Sequence, residues 1–160
     1  MKRAVFAIAV MLLVPPSAWT QDAKPNFSGT WNFDAAKSDF GPAPPPESLV
    51  SVIDQKEPNV KIATTQKGPM GEISNERTFT TDGKENINKM RTPAGDQDTK
   101  STTTWKGKKL STVTKMDMQG TAIVINESWE LAEDGKVMTI AREIKTPQGD
   151  FVTKVVFNKQ

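Results

Sequence analysis

The sequence predicts an all-β domain: an antiparallel up-and-down meander of eight to ten strands closed into a barrel, following a cleaved signal peptide. Three observations carry this. Beyond the leader, apolar residues recur with a period of two, in runs of about six to ten residues. Each run ends in a turn signal, as at Asp82-Gly83-Lys84 and Asp134-Gly135-Lys136. After the leader, no apolar stripe of helical period extends past one turn. Left as an open sheet, so many sequential strands keep two bare edges, and closure removes them. Two stacked sheets without closure are the alternative.

The meander begins at residues 26–34, where Phe27, Trp31 and Phe33 share one face and Gly29 leaves space beside the indole. Residues 35–41 suit a single helical turn ended by Gly41. The proline run at 42–46 reads as a stiff, extended crossing, because each ring fixes φ and removes a donor; a recognition segment for a partner is the other use of such a run. Strand runs follow at 49–55, 60–67, 72–81, 86–91, 99–105, 110–117, 122–131, 137–145 and 151–158, each expected to pair with its neighbour.

The leader has a basic head, Met1-Lys2-Arg3, an apolar run of 11 residues from Ala4 to Val14, and a small-residue exit at Pro15-Pro16-Ser17-Ala18. That order describes a secretory signal peptide, cleaved after Ala18 or after Ala23. The leader then lies within 1–23 and a single domain fills 24–160. A membrane anchor is the competing reading, but the apolar run falls well short of the roughly 20 residues a span needs. The expected product is a secreted protein without a stable membrane anchor, in the bacterial periplasm. No cysteine is present, so neither a disulfide framework nor a lipid-carrying cysteine is available. Of 21 Lys and Arg residues, Lys2 and Arg3 leave with the signal, and after a cut at Ala18 the remaining 19 face 19 Asp and Glu. Nucleic acid is therefore not an expected partner, because phosphate binding requires a clustered basic excess.

The chain has no His, Cys or Tyr. This removes Cys and Ser–His nucleophiles, nearly all zinc sites, and haem held by those ligands. Neither enzymatic activity, a cofactor nor a metal is expected. The informative residues are polar ones on apolar strand faces. Asn75 and Arg77 alternate with Ile73 and Phe79; Glu127 alternates with Ile123, Ile125, Trp129 and Leu131. An inward charge is costly unless paired or hydrated, so Arg77 and Glu127 are expected near a ligand, a water cluster or each other. A bulge that shifts register would instead put them outside. Leu110, Thr112, Thr114 and Met116 form a second half-polar face, in which Met116 suits an adaptable pocket or plain core. The threonine-rich run 99–104 reads as a surface strand.

Gly29-Thr30-Trp31 on the first strand, the meander behind it, and the late hairpin Trp129 to Lys136 of pattern W-x-L-x-x-D-G-K resemble the calycin superfamily. The likeness is to bacterial secreted lipocalin-like domains. It covers most of the chain as topology, and its motif is three residues long. The resemblance implies a barrel with a small-molecule cavity, and a first-strand Trp31 lying across the closed end under an arginine from a late strand. Arg142 is the nearest candidate for that arginine. The superfamily's usual disulfide is absent. The expected function is a lipocalin-like binder of a small amphipathic, lipid-like or apolar molecule. In that reading Arg77 meets a carboxylate or phosphate head group, because a guanidinium binds an oxyanion bidentately. Trp31, Trp105 and Trp129 supply apolar wall. A cavity-free interaction module of the envelope is the alternative.

Overall fold

The computed structural model describes residues 23–69, 71–92, 95–118 and 120–160. The expected leader and its cleavage after Ala18 lie outside the described residues, and a cut after Ala23 falls at their edge. The strands are β1 Gly29–Phe33, β2 Ser48–Lys56, β3 Asn59–Gly68, β4 Gly71–Thr80, β5 Asp82–Thr92, β6 Gly95–Lys106, β7 Lys109–Met118, β8 Thr121–Leu131, β9 Val137–Thr146 and β10 Gly149–Lys159. They form one antiparallel sheet ordered β4-β3-β2-β1-β10-β9-β8-β7-β6-β5. The first strand pairs with the last, and the two ends of the sheet curl towards each other into a nearly closed barrel.

One end is filled by large apolar side chains from several strands and from the segment before β1, most of them aromatic. Trp31, Phe27, Leu110, Val60 and Trp129 are fully buried there. Phe27 stacks on Trp105 with centroids 6.1 Å apart and meets Trp129 edge-on at 5.6 Å. The Trp31 indole N–H donates to the Phe27 carbonyl at 2.8 Å. What covers the Trp31 ring is Lys159, whose Nζ lies 5.2 Å from the ring centroid. This corrects the arginine that the resemblance implied: Arg142 is engaged elsewhere in the lumen. Gly29, at φ +138°, gives the lysine stem its room, since a Cβ there would stand 2.7 Å from Lys159 Cε.

Strand β1 is only five residues long, against nine in β2 and eleven in β10. The connector that follows covers the stretch of β10 that β1 does not reach. It makes a 3-10 turn at Ala35–Lys37, then bridges back through Asp39 to Lys154. Ser38 Oγ accepts the Val156 N–H at 2.8 Å. Phe40 turns inward onto Phe33, centroids 5.4 Å apart. Pro42 to Pro45 are exposed, and Pro46 is buried.

The sheet departs from expectation at Asp82-Gly83-Lys84, which does not close a hairpin. Consecutive strands β4 and β5 are the two edges of the sheet and share no backbone ladder. Only Thr81 separates them, too little for a two-residue hairpin loop. Thr81 is instead pinned to the β2–β3 turn: its N–H donates to the Pro58 carbonyl at 2.8 Å and its hydroxyl to Glu57 at 2.6 Å. The chain leaves β4 there and pairs β5 with β6, with a register shift between Asp82 and Glu85. Two asparagines span the resulting seam. Arg91 N–H donates to Asn75 Oδ1 at 2.6 Å and Asn75 Nδ2 to the Arg91 carbonyl at 3.4 Å. Thr78 N–H donates to Asn88 Oδ1 at 2.8 Å and Asn88 Nδ2 to the Thr78 carbonyl at 3.0 Å. Each side-chain amide thus replaces one missing peptide of the ladder.

Candidate functional site

Glu127 lies on the inward phase of β8, between Ile125 and Trp129. The β8–β9 register sets it directly beside Arg142, and the β7–β8 register beside Thr112. Arg142 Nε donates to Glu127 Oε2. Arg77 reaches the other oxygen from β4, across the lumen, at 3.1 Å. The Trp129 indole N–H donates to that same oxygen at 2.7 Å. The Arg77 guanidinium also lies over two rings, 5.6 Å from Phe79 and 5.5 Å from Trp129.

The Glu127 side chain is 5% exposed, and burial by itself opposes its charge. The two guanidinium charges and the hydrogen bonds from Arg142 and Trp129 outweigh that penalty and bring its carboxyl down to about 2. At neutral pH the trio is one carboxylate between two cations, a local excess of one positive charge. Arg77 and Arg142 keep 34% and 29% of their side-chain surface, so both have donors left for something in the lumen.

The lumen holds a cavity of about 360 Å³. Of the residues singled out in the sequence, Asn75, Arg77, Thr114, Met116, Glu127 and Trp129 line it. Trp31, Trp105 and Thr112 do not. Trp31 is sealed in the aromatic end. Trp105 stacks on Phe27 and donates its indole N–H to Glu57 at 3.2 Å. Thr112 is spent on a buried hydroxyl pair with Thr103 at 2.9 Å. Asn75 borders the cavity with its amide committed to the seam.

The threonine-rich run on β6 is not a surface strand. Thr99 and Ser101 line the cavity and Thr103 is fully buried. Period-two counting back from Trp105 finds this phase, because Trp105 is the one large apolar residue of β6. Arg142, Ser51, Thr64, Gln66 and Asn88 also line the cavity and were not singled out as site residues. For Thr64, Gln66 and Asn88 the signal was the same inward phase, masked because polar residues on both faces of β3 and β5 leave little alternation to read; Arg142 among Met138, Ile140 and Ile144 on β9, and Ser51 between Leu49 and Ile53 on β2, were legible by the same period. Among the described residues, no group of three or more acidic side chains could hold a metal ion.

No family model and no curated protein matches the chain. Its fold is similar to that of zebrafish ileal bile acid-binding protein, solved in complex with cholic acid. That match has 20% identity and a TM-score of 0.55 over 84% of this chain and 98% of the other. It is also similar to secretory abundant heat soluble protein 4 of Ramazzottius varieornatus, with 15% identity and a TM-score of 0.55 over 86% and 96%. These likenesses bear out the antiparallel, nearly closed barrel as the fold.

Proposed function

We propose that this chain is a non-enzymatic carrier of one small amphipathic anion, held in the barrel with its acid group on Arg77 and Arg142 and its body along the apolar lining. The observation that carries this reading is the net positive charge of the Arg77–Glu127–Arg142 trio on the wall of a 360 Å³ cavity. The partly exposed guanidinium groups carry one positive charge more than Glu127 neutralises, which attracts an anion, and their planar forks suit oxyanions. Ile125, Ile140, Ile144 and Trp129 offer the apolar contact that a binding pocket requires. The likeness to a barrel solved with cholic acid bound supports an acid with a large apolar body as a ligand class. A cavity of this size counts against a filled, purely structural barrel.

The leader pattern at 1–18 supports a secreted, periplasmic protein. Signal cleavage and fractionation in a bacterial host test that part, and retention of the leader in the cytoplasm overturns it. For the ligand, native mass spectrometry of protein purified from its own host should show a retained anion. Trp129 lines the cavity, so Trp fluorescence should also shift with an anionic lipid panel, and Arg77→Met should weaken the shift. A bare mass together with an unresponsive spectrum across the panel overturns the reading.

A further inference from the structure

The cavity has two unlike walls, and the sheet order sorts them. The strands that meet at the seam, β3 with β4 and β5 with β6, present Thr64, Gln66, Asn88, Thr99 and Ser101. The far side, built by β8 to β10, presents Ile125, Ile140, Ile144 and Phe157 around Arg142 and Glu127, with Phe40 added by the connector. The sequence writes this directly: the cavity-lining positions of β6 are Thr99 and Ser101, and those of β9 are Met138, Ile140 and Ile144 apart from Arg142.

Most of the polar wall is already committed. Thr64 pairs with Ser51 at 3.3 Å, Thr99 donates to the Asn88 carbonyl at 3.1 Å, and Asn75 and Asn88 hold the seam. Ser101 and Thr114 are different. They stand opposite each other in the β6–β7 register and both line the cavity. Among the described residues, neither hydroxyl has a protein hydrogen-bond partner, although Ser101 is only 8% exposed. A plain alkyl chain laid over them would strip their water and return nothing. A ligand hydroxyl at the same place would donate to one and accept from the other.

We propose that Ser101 and Thr114 form a hydroxyl-reading subsite, and that the ligand is an amphipathic acid hydroxylated along one side rather than a plain fatty acid. Its hydroxylated side faces β6 and β7, and its bare side packs on Ile125, Ile140 and Ile144. This rests on the anion-carrier reading and narrows its ligand class.

The test compares cholate, cholanate (the same frame without hydroxyl groups) and stearate as probes, by calorimetry and Trp fluorescence. It uses the wild type, Arg77→Met, and Ser101→Ala with Thr114→Val. Both hydroxyls lack protein partners, so the double variant should keep the wild-type unfolding midpoint. Cholate should bind the wild type at least about tenfold more tightly than cholanate or stearate, since each satisfied hydrogen bond is worth roughly a factor of 2 to 10. The double variant should lose that preference from both sides, binding cholate more weakly and cholanate at least as tightly as the wild type does, because no hydroxyl is left to be stripped of water. Equal affinity for cholate and cholanate, or a preference that survives the double variant, overturns the subsite and leaves the anion carrier standing. No binding of any probe, or binding indifferent to Arg77→Met, overturns both. A shifted midpoint in the double variant also counts against the subsite, because it shows the two hydroxyls serving the fold.

Discussion

Arg77 on β4 and Glu127 on β8, 50 residues apart in sequence, meet at 3.1 Å through the lumen of the barrel. The contact ties an edge strand to the opposite wall, where Arg142 already holds the other carboxylate oxygen. The three charges are therefore unequal in what their removal leaves behind. Glu127→Gln leaves two guanidinium groups facing each other without a counter-charge, and should cost about 3–5 kcal/mol, as for a broken buried pair. Arg77→Met leaves Glu127 still paired with Arg142, and Arg77 is itself 34% exposed, so about 1–2 kcal/mol is expected. The double variant, Arg77→Met with Glu127→Gln, should be more stable than Glu127→Gln alone. Urea denaturation of the three checks this, and a larger cost for Arg77→Met than for Glu127→Gln contradicts it.

The same carboxylate sets the acid limit of the fold. Glu127 has its pKa lowered from 4.5 to about 2, so the folded state favours its ionised form. Its contribution is complete above the unfolded value and disappears as pH falls from about 4.5 to about 2. A shift of that size corresponds to roughly 3 kcal/mol at about 1.4 kcal/mol per unit. Denaturation midpoints should fall steeply across that window in the wild type and much less in Glu127→Gln. Parallel slopes in the two proteins would place the acid sensitivity elsewhere.

How legible all this was depends on whether a strand declares its inward phase. On β4 and β8 the alternation of Ile73 and Phe79 with Arg77, and of Ile123, Ile125 and Trp129 with Glu127, is written plainly. The inward charges followed from it. On β6 only Trp105 marks the phase, so Thr99 and Ser101 passed for surface. The period also turns Trp31 and Trp105 inward, as they are, but period alone cannot tell the filled end of a barrel from its cavity. The seam was illegible for another reason. Asp82-Gly83 has the chemistry of a hairpin turn, and what overrides it is a long-range anchor, Thr81 held by Glu57 and the Pro58 carbonyl.

Glu57 should prove to be a clamp of the filled end. Its carboxylate accepts from Thr81 at 2.6 Å, Gln55 at 2.9 Å and Trp105 at 3.2 Å, joining the turns and β6. Partial burial works against its charge, and these donors together with Lys24 still hold its pKa below the usual value. Glu57→Ala should cost about 1–3 kcal/mol, the range for leaving buried donors unpaired. It should also shift Trp105 emission. A neutral outcome on both measurements would show water replacing the carboxylate.

Gly29→Ala tests how Trp31 is covered. The new Cβ would fall 2.7 Å from Lys159 Cε, at a φ of +138° that side chains avoid. The lysine can swing away but the backbone cannot, so a loss of about 1–3 kcal/mol is expected. Lys159→Met should cost less than about 1 kcal/mol, because the cation–π contact at an open site is weak. A neutral Gly29→Ala would show that the strand relaxes at little cost.

The last prediction concerns the seam, where two side-chain amides do the work of a backbone ladder. Asn88 satisfies the Thr78 N–H and carbonyl, and Asn75 those of Arg91, so removing either amide frees one peptide pair at a known place. Ladders away from the seam, such as β8–β9, run uninterrupted, and the loss should stay local. Asn88→Ala should speed hydrogen exchange of the Thr78 amide by on the order of tenfold or more, and Asn75→Ala that of the Arg91 amide, while amides of β8 and β9 keep their rates. If β4 and β5 were held together by the barrel's curvature alone, neither substitution would change exchange at the seam. If the barrel instead opened as a whole, every strand would speed up together. Only a change confined to Thr78 and Arg91 assigns the closure of this barrel to Asn75 and Asn88.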